Sequence, residues 1–187
     1  MTMVRQALSS IESLTKVDRP ARALQRWARR TVPEGPVARV LGGSWFGHPA
    51  HPILVLMPIG AWLSATVLDL LPGQQAAARK LVLAGLLAVP PAVAAGLADL
   101  RELDERQRRV GFVHALSNTT ASACFLTSYR LRRMGYGGRA WALLGLAAVS
   151  TGGLLGGHLT YAQGAGVFRW QAEELRAVMP DAETPSR

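Results

Sequence analysis

Apolar residues fall into four long runs separated by short polar or basic segments. Pro52 to Leu71 reads PILVLMPIGAWLSATVLDLL, and Leu81 to Leu100 reads LVLAGLLAVPPAVAAGLADL. Val110 to Tyr129, VGFVHALSNTTASACFLTSY, is the most polar of the four. Ala140 to Tyr161, AWALLGLAAVSTGGLLGGHLTY, carries no formal charge. Each run is close to the roughly 20 residues that a helix needs to cross about 30 Å of hydrocarbon. Lipid leaves no unpaired backbone group satisfied, so four such runs predict an all-α membrane four-helix bundle. The alternative is a soluble all-α bundle. It would need polar helix faces, which the second and fourth runs lack.

The pattern divides the chain into a basic amphipathic region at 1–44, a four-span domain at 45–167 and a tail at 168–187. In the first region, DRPARALQRWARRTV lets Asp18 cap a helix with Pro20 in its first turn. Arg22, Arg26 and Arg29 then share a face opposite Leu24 and Trp27. That arrangement suits either a helix lying among lipid headgroups or one packed on the bundle. In the tail, a short helix over Phe168 to Val178 and a disordered end are expected. Leading into the first span, Trp45 and Phe46 fall at interface depth.

Composition adds a net charge of +9 and a pI near 11.1, which raises nucleic-acid binding as a possibility. Charge position removes it. Fifteen of the 21 basic residues lie before the first span, between spans two and three, or after span four, and six lie on the other side. By the positive-inside rule both termini face the cytoplasm of a cell inner membrane. No nucleic-acid motif accompanies the charge. The first 40 or so residues have no apolar core of a cleavable signal, so the first span is expected to act as an uncleaved insertion signal. The single cysteine, Cys124, excludes a disulfide within the chain and reads as a small buried hydrophobe.

Prolines and glycines shape the spans. Pro58, and Pro90 with Pro91, remove backbone donors and should bend their helices near Leu54, Leu86 and Leu87. Gly152 and Gly156, and Gly153 and Gly157, stand at small-xxx-small spacing and are candidates for close helix packing.

The chemistry-bearing residues are the four histidines. His48 and His51 open the first span, His114 lies one turn into the third, and His158 lies one turn from the end of the fourth. All fall near the cytoplasmic side, as does Asp99. Imidazoles on different helices are how bundles hold haem iron or a transition metal, so His51, His114, His158 and His48 are metal or haem b candidates. Asn118 and Tyr161 share helix faces with His114 and His158 and would orient their rings; Asp99 could join them, or pair with Arg101. Each proline biases the histidine before it away from helix, so His48 and His51 are expected in an extended lead-in capped by Pro52. Asp69, at the other end, has no comparable company. Ionisable groups stop at the span ends, which disfavours an ion pathway.

The segments SWFGHPAHPILVLMPIGAW with a later LD, RRVGFVHALSN, SYRLR and GGHLTYAQGAGV resemble the bacterial four-helix membrane family called Domain of Unknown Function 2231, over about Leu41 to Val167. In some members that module is followed by a Rieske iron-sulfur domain. The resemblance implies a redox setting by association, with His48, His51, His114, His158, Asp69 and Asn118 at matching positions. This chain shows no Rieske ligands after Val167, so an iron-sulfur centre would come from a partner protein. Three functions are in competition. They are a histidine-based redox module, a non-catalytic scaffold or accessory subunit docking a partner or anionic lipid, and a transporter of a small neutral solute.

Overall fold

The computed structural model describes residues 3–166, and all regular structure there is helical. The leader folds into α1 (Met3–Glu12), α2 (Asp18–Thr31) and α3 (Pro36–Gly42). The bundle follows as α4 (Ala50–Leu54), α5 (Leu56–Leu68), α6 (Gln75–Leu100), α7 (Glu105–Arg133) and α8 (Arg139–Gly157). A π-turn, His158–Ala162, extends α8. The expected C-terminal helix at Phe168 to Val178 lies outside the described residues.

Local chemistry sets these boundaries. Pro58 has no N–H for the Leu54 carbonyl, and the first span divides at Val55 into α4 and α5, as the sequence predicts. α6 runs on through Pro90 and Pro91. α7 opens on a capping box: Gln107 N–H donates to the Asp104 side chain and the Gln107 side chain accepts from Asp104 N–H. Gly43, at φ +90°, ends α3; a Cβ there would lie 1.9 Å from the His48 carbonyl oxygen, so only glycine fits.

The helices at Ala50–Leu68, Gln75–Leu100 and Arg139–Ala162 are each long and apolar enough to cross a membrane. No more than 28% of each apolar stretch is buried inside the protein. Much of the remainder faces outward, with Leu56, Met57, Leu87, Leu143 and Leu144 all more than half exposed. A water-soluble bundle would bury such residues, whereas a lipid-facing one presents them. The chain is an all-α membrane protein. α7 is longer than its neighbours but more polar, and it packs between α6 and α8.

The interior is built from small residues. Ala65, Ala78, Ala121 and Ala142 are fully buried, which lets backbones approach around one large pair. Trp62 stacks on Phe125 with centroids 4.1 Å apart and planes 13° apart, and its indole N–H donates to the Val82 carbonyl at 3.2 Å. Gly85 and Gly145 lie flat beneath these rings: a Cβ would come within 2.3 Å of Trp62 and 2.8 Å of Phe125.

The leader is packed on one end of the bundle. α2 buries Ala21, Gln25 and Ala28, and the Gln25 amide points to the carbonyls that end α6, 2.8 Å from Leu103 O and 3.3 Å from Leu100 O. Past the helix end the backbone offers Leu100 O only a long 3.4 Å bond from Leu103 N–H, and the Gln25 side chain supplies a further donor there. Leu24 is half-buried, while Trp27, Arg22 and Arg26 remain exposed. Asp18 does not cap α2: its carboxylate is engaged by Arg109, with Nε to Oδ1 at 2.6 Å. Ion pairing to a buried guanidinium outcompetes the cap.

Candidate functional site

The four histidines lie at the end of the bundle that carries the leader, but they do not converge on one point. His51 is helical in α4, not extended, because the helix starts at Ala50 and Pro52 occupies a first-turn position where no N–H is required. Pro49 is the extended residue, at φ −57° and ψ 123°. From there the His51 ring crosses to α6, where Nδ1 lies 2.8 Å from the Ala92 carbonyl oxygen and must carry the donated proton. The ring rests on Gly96, whose added Cβ would stand 2.9 Å from it.

His114 repeats the arrangement one helix pair away. Its Nδ1 donates to the Gly152 carbonyl of α8 at 2.8 Å, and its ring lies over Gly156, 3.1 Å from a built Cβ. Asn118 lies one turn further along α7. Its amide donates to the His114 carbonyl at 2.9 Å and reaches the ring Nε2 at 3.2 Å. Its head occupies the space over Gly152, where a Cβ would come within 2.6 Å. The two rings meet edge to face with centroids 6.1 Å apart. A carbonyl on each Nδ1–H fixes the tautomer and leaves Nε2 as the lone-pair nitrogen.

His158 turns elsewhere. At the π-turn its Nε2 is 2.6 Å from Glu12 of α1, and Arg106 meets the other oxygen of that carboxylate at 2.6 Å. The hydrogen bond from His158, followed by that from Arg106, outweighs burial and holds the Glu12 carboxyl below its ordinary value of 4.5. Arg109 likewise holds Asp18 below 3.8. Tyr161 is 91% exposed and does not orient His158. The π geometry adds a residue to the turn, so spacing of three no longer places the two side chains together. His48 is exposed at the rim, its Nδ1 3.2 Å from the Phe46 carbonyl. Asp99 is half-buried on α6, one turn past Gly96. Arg101 pairs with Glu34 at 3.1 Å and with Glu102 at 3.3 Å.

Among the described residues, no group of three or more His, Cys, Asp or Glu side chains could hold a metal ion. What remains of the candidate set is a pair, His51 and His114. The glycines also separate. Gly152 and Gly156 carry Asn118 and His114, while Gly153 and Gly157 have open space where a Cβ would go.

Sequence reasoning missed Glu12, Gln25 and the partner of Asp69. Asp69 has company after all: at the far end of the bundle Arg132 grips it with two bonds of 2.7 and 2.5 Å, both side chains being 6% exposed. Arg139 adds a looser contact at 3.8 Å. The Arg132 Nε also donates to Ser128, whose hydroxyl donates to the Gly138 carbonyl at 2.8 Å. A lone acid at a span end facing a dense basic loop was the available signal. Glu12 had a similar one, as the only acid before Asp18.

No curated protein and no solved structure matches the chain. A family model described as "Predicted membrane protein (DUF2231)" matches residues 47–169, which begins at the glycine before His48 and takes in all four histidines. That match covers well over half of the chain, and the protein belongs to the DUF2231 family of membrane proteins.

Proposed function

We propose that this protein is a four-span module of the bacterial inner membrane that serves as a non-catalytic scaffold or accessory subunit, with both termini in the cytoplasm. α7 is the fourth span: its 29 residues reach roughly 43 Å at helical rise, and it is flanked on two sides by α6 and α8. Orientation rests on the basic excess of the terminal side.

The observation that carries the scaffold reading is where the histidine rings are committed. His51 and His114 tie one helix to the next through a backbone carbonyl, and His158 ties the leader to the bundle through Glu12. With α1 and α2 fixed in this way, Arg19, Arg26, Arg30 and Trp27 form an exposed basic plate at the membrane surface. Such a plate suits a partner with an acidic face, and the Rieske fusions of related chains make an iron-sulfur protein the class to try first. The test is crosslinking and co-purification of the tagged full chain. Reversing Arg19, Arg26 and Arg30 to Glu should abolish partner recovery, whereas replacing His51 and His114 together, with the His158 tether kept, should leave it intact in a folded protein. Loss through the histidine changes alone would refute the reading.

A second reading is favoured by one specific feature. His51 presents an Nε2 lone pair with Nδ1–H already engaged, which is how histidines are prepared for haem iron or another metal, and His114 would do the same once the Asn118 amide, 3.2 Å from its Nε2, turns away. An absorption spectrum and a metal analysis of the protein in mild detergent decide this. A colourless, metal-free and folded preparation excludes it.

A further inference from the structure

We infer that the end of the bundle opposite the leader carries a binding site for an anionic phospholipid. Two adjoining depressions open there and share Arg79. The larger, of about 730 Å³, lies between the first turns of α6 and the glycine loop that leads into α8, with Arg79, Arg132 and Arg139 in its lining. The smaller, of about 240 Å³, runs between α6 and α7 and is lined by Arg79, Lys80, Leu83, Tyr129 and Arg133.

The order of these residues along the two helices identifies the ligand. Arg79 and Leu83 are four apart on α6, and Tyr129 and Arg133 are four apart on α7, so each pair lines one helix face. On both helices the cation is at the outer turn and the apolar or aromatic side chain one turn deeper. That gradient matches a molecule with a phosphate at the surface and an acyl chain running down the groove. A free phosphate would use only the upper turn.

The cations are also available. Asp69 is the one acid at this end among the described residues, and Arg132 saturates it, with Arg139 nearby. None of the described ion pairs uses Arg79, Lys80 or Arg133. A basic pocket between spans, left without a carboxylate, is the electrostatic form of a lipid headgroup site. The site is independent of the scaffold reading, since it lies on the other side of the bundle from the basic plate.

The experiment uses the full chain in dodecyl maltoside at low ionic strength. Native mass spectrometry and thermal unfolding are recorded with phosphatidylglycerol, with phosphatidylcholine, and with inorganic phosphate alone. The wild-type protein should retain phosphatidylglycerol at least tenfold better than phosphatidylcholine. Arg79→Gln with Lys80→Gln and Arg133→Gln should weaken that binding by about 100-fold, as three charges near an anionic headgroup imply. Arg5→Gln with Lys16→Gln and Arg39→Gln, an equal loss of charge at the other end among exposed residues outside the basic plate, should leave it unchanged. Equal retention of the two lipids by wild type overturns the inference without any variant. So does an equal loss in both triple variants, or full stabilisation by inorganic phosphate alone.

Discussion

Replacing Arg132 with Leu tests whether the far end of the bundle is clamped as its geometry indicates. The Asp69 and Arg132 side chains are each 6% exposed and joined by two hydrogen bonds. Removing one member of such a pair strands the other charge, at a cost of about 3–5 kcal/mol. Arg139, 3.8 Å from Asp69 but 55% exposed, can recover about 0.2–1 kcal/mol of that. The expected loss for Arg132→Leu is therefore ~3 kcal/mol, near the lower end of the range, and Asp69→Asn should cost a similar amount. Arg139→Gln should cost less than about 1 kcal/mol. The double variant Asp69→Leu with Arg132→Met removes both charges and fills the space, so it should approach wild type. Thermal unfolding in detergent reads this out, with ~3 kcal/mol corresponding to a shift of roughly 6–12 °C at this chain length. Single variants within 1 °C of wild type, or a double variant as unstable as the sum of the singles, would refute the clamp.

Three further outcomes follow from contacts described above. Gly152→Ala places a Cβ against the Asn118 amide and should cost about 1–2 kcal/mol after its helix-propensity gain, whereas Gly153→Ala meets nothing and should stabilise by up to about 1 kcal/mol; parallel melting curves distinguish them. Gln25→Ala removes the buried side-chain donor at the end of α6 and should cost about 1–3 kcal/mol, seen as faster tryptic cleavage after Arg26, Arg29 and Arg30. The lowered carboxyls of Glu12 and Asp18 stabilise leader docking above their unfolded values, and that contribution is lost as pH falls through the folded ones. Hydrogen exchange should therefore show α1 and α2 protected from pH 7 down to pH 5 and released below about pH 4; release that begins above pH 6 would place the switch on another group.

Three of the four expected spans, the first, second and fourth, were legible because lipid imposes a pattern that no local detail can hide: twenty apolar residues read the same in any bundle. The Pro58 break was equally legible, since a missing donor acts on the helix that contains it. Contacts between helices were not. The pairs Gly152/Gly156 and Gly153/Gly157 have identical spacing, and only the direction of α7 decides which pair is covered. The arginines and Trp27 of α2 announce an amphipathic helix, yet its buried face is Ala21, Gln25 and Ala28, too small and too polar to be recognised as a packing surface. Grouping the histidines at one end followed from counting along spans. Their division into a facing pair, a tether and a rim residue depended on ring partners that lie far away in sequence, at Ala92, Gly152 and Glu12.

The tether has a consequence for how the molecule is made. Glu12 and His158 are 146 residues apart, and Gln25 and Leu103 are 78 apart. At a synthesis rate of about 5–20 residues per second, α1 emerges roughly 7 to 30 s before its histidine exists. For that interval the leader has nothing to dock on, and its basic face and Glu12 stay open while the later helices enter the bilayer. Closure of α1 onto His158 therefore waits until α8 and its π-turn have been made. It marks a chain whose α8 has arrived, and a product truncated before α8 would carry an unsealed leader that a protease could recognise.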